Sequence, residues 1–164
     1  MFTVQFLLEN IPLTWTDILW GYEKQFFGWR VPIEFASAQL KTTPSFDALE
    51  FELAGIQKDQ DWKVRKLLEE LSKQESIPEF VSQEKWIYLT LLRLYENQGP
   101  IEDTLRSIEE VYADFCYPGE ITSFVNFVGP QDDWDPRVNT LLENQNRMLM
   151  HWKNYLDRTR LRFT

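Results

Sequence analysis

The chain has 164 residues, 43% of them hydrophobic, which suits one domain with a core of ordinary size. Its formal net charge of -9 argues against nucleic acid as a partner, because a phosphate backbone is bound by Lys and Arg. The single cysteine, Cys116, excludes an internal disulfide and is typical of a reducing cytoplasm. The first ten residues have no basic region ahead of an apolar run, so we expect no export signal and a cytoplasmic protein.

The most apolar stretch of the chain is residues 86–95, in which only Thr90 and Arg93 interrupt eight apolar or aromatic residues. A helix that is apolar on nearly every side has to be covered by protein on nearly every side. The stretch is too short, and too closely flanked by charged residues, to span a bilayer, so we expect no membrane partner. We therefore predict that it is the buried central helix of a helical domain.

The first third of the chain contains several helix signals. Residues 1–10 alternate apolar and polar side chains and fit an extended arm or a first helical turn equally well. Thr14, followed three positions later by Asp17, is typical of a helix start, and we predict a helix from there to near Gly28. Pro32 in a first turn predicts the next helix.

The middle of the chain continues this pattern. Pro44 breaks the second helix and Ser45 can cap a third, which carries an apolar stripe over residues 46–56. A further helix covers residues 62–71, and Ser82 is the predicted N-cap of the central helix, which stops at Asn97-Gln-Gly99-Pro100.

The last third completes the bundle. We predict a helix over about residues 101–115, a short helix over residues 121–128, and a long helix that begins with Asp135 as N-cap, has Pro136 at its first position and runs to about residue 160. The chain has no internal repeat and no Gly/Ser linker. The prediction is therefore an all-α fold, a single domain over residues 1–164 with about seven helices around the central one.

The charge is concentrated in residues 102–135, which we call the acidic sector: nine acidic residues against one base give it a net charge of -8, whereas residues 136–164 carry +4. Such a sector can be a solvated face with acids near helix starts, or a face that meets a basic surface. The rings at 112, 117 and 134 could anchor a partner, although the first two could equally be core. The candidate partner-binding residues are Glu102, Asp103, Glu109, Glu110, Tyr112, Asp114, Tyr117, Glu120, Asp132, Asp133 and Trp134.

Motifs for catalysis or cofactor binding are not evident. Asp132, Asp133 and Asp135 resemble a metal-binding run, but no EF-hand pattern follows, and helix capping explains them. His151 is the only histidine, and Cys116 has no basic neighbour that would activate its thiol. No glycine-rich phosphate loop is present. We expect a protein that is not an enzyme and has no metal and no cofactor.

A resemblance to a known family lies in two stretches. One is Trp15-Thr-Asp17-Ile-Leu-Trp20-Gly21-Tyr22, and the other is Tyr112-Ala-Asp-Phe115-Cys-Tyr117-Pro118-Gly-Glu120-Ile121 with Phe124-Val125-Asn-Phe127 after it. Together they resemble a family of small bacterial proteins of unassigned function. Its members look like those encoded beside polymorphic toxins, which implies immunity proteins. Cys116 stands where a further acid is expected, and no catalytic residues follow from the resemblance.

These observations lead to three functional hypotheses. The first is a cytoplasmic, non-catalytic immunity protein that neutralises a cognate toxin domain, or another basic protein, through the acidic sector. The alternative is a general interaction or adaptor module, either monomeric or homodimeric, that uses the N-terminal aromatics Trp15, Trp20 and Trp29. A minor alternative is a hydrolase with a carboxylate-bound metal. The sequence leaves the partner and the oligomeric state open.

Overall fold

A computed structural model describes residues 1–42 and 47–164, and every regular element in these ranges is a helix. This confirms the all-α prediction. Within the described ranges there are eight α-helices, where about seven helices were predicted, and two short 3-10 helices, Lys58–Lys63 and Gly119–Phe124. The α-helices are α1 (Val4–Asn10), α2 (Trp15–Glu23), α3 (Arg30–Thr42), α4 (Ala48–Ala54), α5 (Val64–Ser72), α6 (Glu79–Glu96), α7 (Ile101–Asp114) and α8 (Leu141–Phe163).

The chain divides into two compact units, Met1–Trp86 and Ile87–Thr164. Helix α6 contributes its first eight residues to the first unit and the remainder to the second. Its most apolar part is buried, as predicted, at Trp86, Ile87, Tyr88, Leu89 and Leu91. That the whole chain forms a single domain stays a prediction.

In the first unit, α2 packs on α5, α3 packs on α4, and α1 packs on α3. The indole of Trp86 is fully buried among the rings of Phe2, Phe26 and Phe27, with ring centroids 5.1–5.7 Å away. Helix α2 comes so close to this indole that a Cβ at Gly21 would lie 2.3 Å from the Cζ2 atom of Trp86. Gly21 is therefore required for packing, because any larger residue would overlap the ring.

In the second unit, α7 is amphipathic. Its inner face buries Leu105, Ile108, Val111 and Tyr112, spaced by three or four residues or adjacent along the helix. The 3-10 helix Gly119–Phe124 packs on α8. Because the apolar side chains of α7 point into the core, its acidic residues lie on the outer side of the helix.

Two predicted helix starts are wrong. Ser82 lies inside α6, which begins at Glu79, and its side chain is fully buried. Asp135 does not begin the last helix, because its carboxylate instead accepts the backbone N–H of Arg137 in a turn. Helix α8 begins at Leu141, where Thr140 and Glu143 form a reciprocal capping box.

The other boundaries differ in detail. Residues 4–10 form a helix, with Thr3 as N-cap, and not an extended arm. Helix α2 begins at the predicted Thr14–Asp17 capping box but ends at Glu23, before Gly28. The predicted short helix over residues 121–128 is the 3-10 helix, and the helix predicted over residues 62–71 is α5, preceded by the other 3-10 helix.

Some predictions concern residues 43–46, which lie outside the described residues. They are the break at Pro44, the cap at Ser45 and the start of the apolar stripe at Phe46. The described helix there, α4, has Asp47 as its N-cap. In the described ranges, no helix is long and apolar enough to cross a membrane.

Candidate functional site

The outer face of α7 carries the strongest uncompensated charge of the acidic sector. Glu102, Asp103, Glu110 and Asp114 are exposed, and Glu109 is half-buried. Among the described residues, the one ion pair on this face joins Asp103 to Arg106 at 3.6 Å, and both side chains are about two-thirds exposed. A pair of this kind contributes little, because water screens it. We call the five acids the α7 acidic face.

The remaining acids of the sector are mostly neutralised by the basic C-terminal segment. The carboxylate of Glu120 pairs with Arg162 at 3.4 Å, and Asp132 pairs with Arg147. Asp135 pairs with Arg137 at 2.9 Å. Hydrogen bonds from Arg147 and Arg137 lower the pKa of the Asp132 and Asp135 carboxyls respectively.

Asp133 is exposed, and no ion pair to it occurs within the described part of the chain. The charge of the sector is therefore not uniform: its second half is largely balanced by arginines, and its first half is not.

A groove of about 400 Å³ lies between α7 and the start of α8, and we call it the acidic groove. Glu102 and Glu109 supply negative charge, and Arg106 lies between them on the same helix. Its apolar lining comes from Leu105, Leu141 and Met148. The site therefore combines two carboxylates and one guanidinium with an apolar surface.

The predicted aromatic anchors Tyr112 and Tyr117 have different positions. Tyr112 is buried, whereas Tyr117 is exposed and meets its ring edge-on at 5.2 Å. Exposed Phe127 meets the same ring at 5.7 Å. Tyr112 thus supports the two exposed rings and does not itself offer a contact surface.

A strained turn holds Tyr117 in place. The N–H of Tyr117 donates to the carbonyl of Tyr112 at 2.8 Å, and the N–H of Cys116 donates to that of Ala113 at 3.1 Å, which together form a Schellman motif at the end of α7. Cys116 and Tyr117 have φ angles of 60° and 62°. Left-handed backbone at residues other than glycine costs on the order of 1 kcal/mol or more each.

Trp134 is half-buried and fixed by polar contacts. Its indole N–H donates to the side-chain oxygen of Asn144 at 2.8 Å, and the guanidinium of Arg147 lies 5.2 Å from its ring centroid. Arg147 also binds Asp132. Trp134 therefore connects the loop before α8 to that helix, and the part of its ring that contacts α8 is not available to a partner.

A buried polar network in the first unit was not foreseen from the sequence. The carboxylate of Asp17 accepts hydrogen bonds from the Ser82 hydroxyl at 2.6 Å, the Lys85 ammonium at 2.6 Å and the Thr14 N–H at 2.8 Å. The Trp86 indole N–H donates to the Asp17 carbonyl at 2.8 Å. Asp17 and Ser82 are fully buried and Lys85 nearly so.

The hydrogen bonds of this network indicate a structural role for Ser82 and Lys85. Ser82 and Lys85 have the spacing that serves as a nucleophile and its base in some hydrolases, but here the hydroxyl donates to a carboxylate and not to the amine. The ammonium of Lys85 binds Asp17 and also the Pro12 carbonyl at 3.1 Å. On the buried side of α6, Ser82, Lys85 and Trp86 follow one another at helical spacing. A lysine within this otherwise buried stripe was the one feature of the sequence that could have indicated the polar network.

The residues of the alternative hypotheses also have defined positions. Trp15 is buried, and its indole N–H donates to Glu50 at 2.9 Å, so it offers no surface anchor. Trp20 and Trp29 are half-buried. Within the described ranges, no group of three or more His, Cys, Asp or Glu residues could hold a metal ion.

One protein family matches nearly the whole of this chain. A family model described as "Uncharacterized protein conserved in bacteria (DUF2247)" matches residues 4–160. The chain belongs to this family. No curated protein and no solved structure matches it.

In this member of the DUF2247 family, the two stretches that carried the resemblance have structural roles. In the first stretch, Asp17 and Gly21 form the contacts of α2 with the buried Trp86 and its neighbours. In the second stretch, Tyr112 is buried and Phe115 is the C-cap of α7. These residues thus maintain the fold, and the α7 acidic face lies outside the first stretch and largely before the second.

Proposed function

We propose that this protein is a non-catalytic binding protein that captures a basic protein partner through the α7 acidic face. The observation that carries the proposal is that Glu102, Glu109, Glu110 and Asp114 share the outer part of one helix with no ion pair among the described residues. Arginines compensate Glu120 and other acids elsewhere in the sector, but not these.

Charge of this kind acts on a partner at a distance, before the two proteins come into contact. A cluster of like charges attracts an oppositely charged partner, raises the association rate and repels acidic competitors. Charge alone gives little lasting affinity, and apolar groups beside it provide the anchor. The acidic groove supplies such groups at Leu141 and Met148.

The partner we propose is the basic domain of a bacterial toxin, which makes the protein an immunity protein. The support is the resemblance to proteins encoded beside polymorphic toxins, together with the charge of α7. Immunity requires binding alone and no reaction. The commitment of Ser82 and Lys85 to Asp17 supports the non-catalytic part of the proposal.

The test is the binding of the toxin domain encoded next to the gene, measured by biolayer interferometry. The double variant Glu110→Lys/Asp114→Lys reverses two exposed acids and retains a like-charge pair at the same helical spacing. We expect its association rate at low salt to fall about tenfold or more, and the difference to shrink in high salt.

The matched control is Glu34→Lys/Glu52→Lys, which changes the net charge equally at two exposed acids of α3 and α4. If this control slows association as much as the α7 variant does, then net charge and not the α7 acidic face governs binding. If neither folded variant differs from the wild type, the proposal is refuted.

A further inference from the structure

Building on the proposed function, we infer that the acidic groove receives an apolar side chain of the basic partner, presented on an amphipathic helix with Lys or Arg on either side of it. The inference concerns the chemistry of the partner's contact segment. It names one occupant for a surface that the proposed function alone does not assign.

The apolar part of the groove is accessible. Leu141 is 70% exposed, although it is a leucine on a helix that packs in the second unit. Met148 lies seven residues further along α8, which is two helical turns, so both side chains lie along one face of the helix. Asn144 and Gln145 lie between them in the groove lining, so α8 offers two apolar positions separated by one polar turn. A partner helix with apolar residues at matching spacing can contact both.

The exposed apolar surface extends beyond the groove. Val138 is 79% exposed and Leu142 is 65% exposed, and both lie within three residues of Leu141 along the chain. Single exposed leucines are ordinary, but three large exposed apolar side chains within five residues of the chain, one of them in the groove beside Glu102 and Glu109, are typical of a binding surface. Covering them would release the water that they now contact.

Charge complementarity favours a basic partner over a second copy of this chain. A two-fold dimer through the groove would bring two surfaces of net negative charge together, because Glu102 and Glu109 outnumber Arg106 in each copy. Like charges placed face to face are unfavourable. An arginine or lysine beside the inserted apolar residue would instead meet these carboxylates, where charge-assisted hydrogen bonds form.

The three methionines make a direct test possible, because methyl labelling of methionine gives one NMR signal for each of Met1, Met148 and Met150. Met148 lines the groove. Met150 is two residues on, about 200° around the helix, and contributes to a different cleft beside Asp132. Met1 and Met150 are therefore internal references.

The probes are two synthetic helical peptides of equal positive charge. One carries leucines at spacings of three and four with arginines on both flanks, and the other has glutamine at each leucine position. We expect the leucine peptide to shift the Met148 methyl signal well beyond those of Met1 and Met150, and the glutamine peptide to leave it in place. Equal shifts with both peptides, or no shift with the leucine peptide, would overturn the inference.

Substitutions separate this inference from the proposed function. Leu141→Gln is expected to weaken the leucine peptide about tenfold. Its control, Leu161→Gln, changes a residue that is 78% exposed in the same helix and should leave binding unchanged. If Glu110→Lys/Asp114→Lys weakens both peptides and Leu141→Gln weakens neither, the α7 acidic face binds and the groove does not.

Two further outcomes are equally clear. If neither peptide binds, the inference is overturned, whereas the proposed function is contradicted only if the toxin domain itself fails to bind the folded protein. If sedimentation shows a dimer that Leu141→Gln converts to a monomer, the groove belongs to a second copy, and the inference is wrong.

Discussion

The buried ion pair between Asp17 and Lys85 allows a quantitative prediction about stability. Replacing Lys85 with methionine keeps the volume of the side chain but removes the ammonium that lies 2.6 Å from a fully buried carboxylate. Removing one member of a buried pair costs about 3–5 kcal/mol, because the other charge is left without compensation. Since whole domains are stable by about 5–15 kcal/mol, Lys85→Met should lower the free energy of unfolding by a large fraction of its total.

The double variant identifies the cause. In Asp17→Asn/Lys85→Met neither charge remains. The asparagine oxygen can still accept the hydrogen bond from the Thr14 N–H, and its amide group can donate to the Ser82 hydroxyl. We therefore expect it to be less destabilised than the sum of the two single variants, by about 1–3 kcal/mol. Urea unfolding, followed by tryptophan fluorescence, measures all four proteins. Single variants that cost under ~1 kcal/mol and add without coupling would refute this reasoning.

Three further predictions follow from local geometry. In an open helix, Gly→Ala stabilises a protein by about 0.5–1 kcal/mol. Gly21→Ala should instead destabilise this protein by about 1–3 kcal/mol, because the new Cβ would lie 2.3 Å from the Trp86 ring. A raised melting temperature of the variant would contradict the close packing. Cys116→Gly should stabilise by up to about 1 kcal/mol in urea unfolding, since glycine adopts a φ of 60° without strain, and a loss of stability would show that the turn is not strained. Hydrogen bonds from Thr140 lower the pKa of Glu143. The contribution of Glu143 to stability is therefore complete above the ordinary pKa of a glutamate and is lost as pH falls through the lowered folded-state pKa. The difference in unfolding free energy between wild type and Glu143→Gln should shrink on acidification, and a difference that grows would contradict this account.

The helix starts show how far local signals can be trusted. Thr14 and Asp17 were a sufficient signal, because a capping box is completed by residues three positions apart. Asp135 gave an equally plausible signal, but Arg137 and the competing box at Thr140 move the start of α8. Ser82 could not be interpreted locally, because its partner is 65 positions away in the chain.

The candidate site was predicted in part. Counting charges located the acidic sector but could not show which acids are compensated, because the arginines involved lie on distant parts of the chain. Glu120, for example, pairs with Arg162 across 42 positions. The acidic groove was also beyond prediction, since the register of α7 against α8 decides that Glu109 and Leu141 line one depression.

The central claim is that the α7 acidic face binds a basic protein partner. The most direct measurement is calorimetry of the purified protein with the toxin domain encoded next to its gene, at low and at high salt. We predict tight binding that weakens as salt rises and that Glu110→Lys/Asp114→Lys weakens most at low salt. Absence of binding by the folded wild-type protein, or tight binding that neither salt nor this variant changes, would contradict the claim.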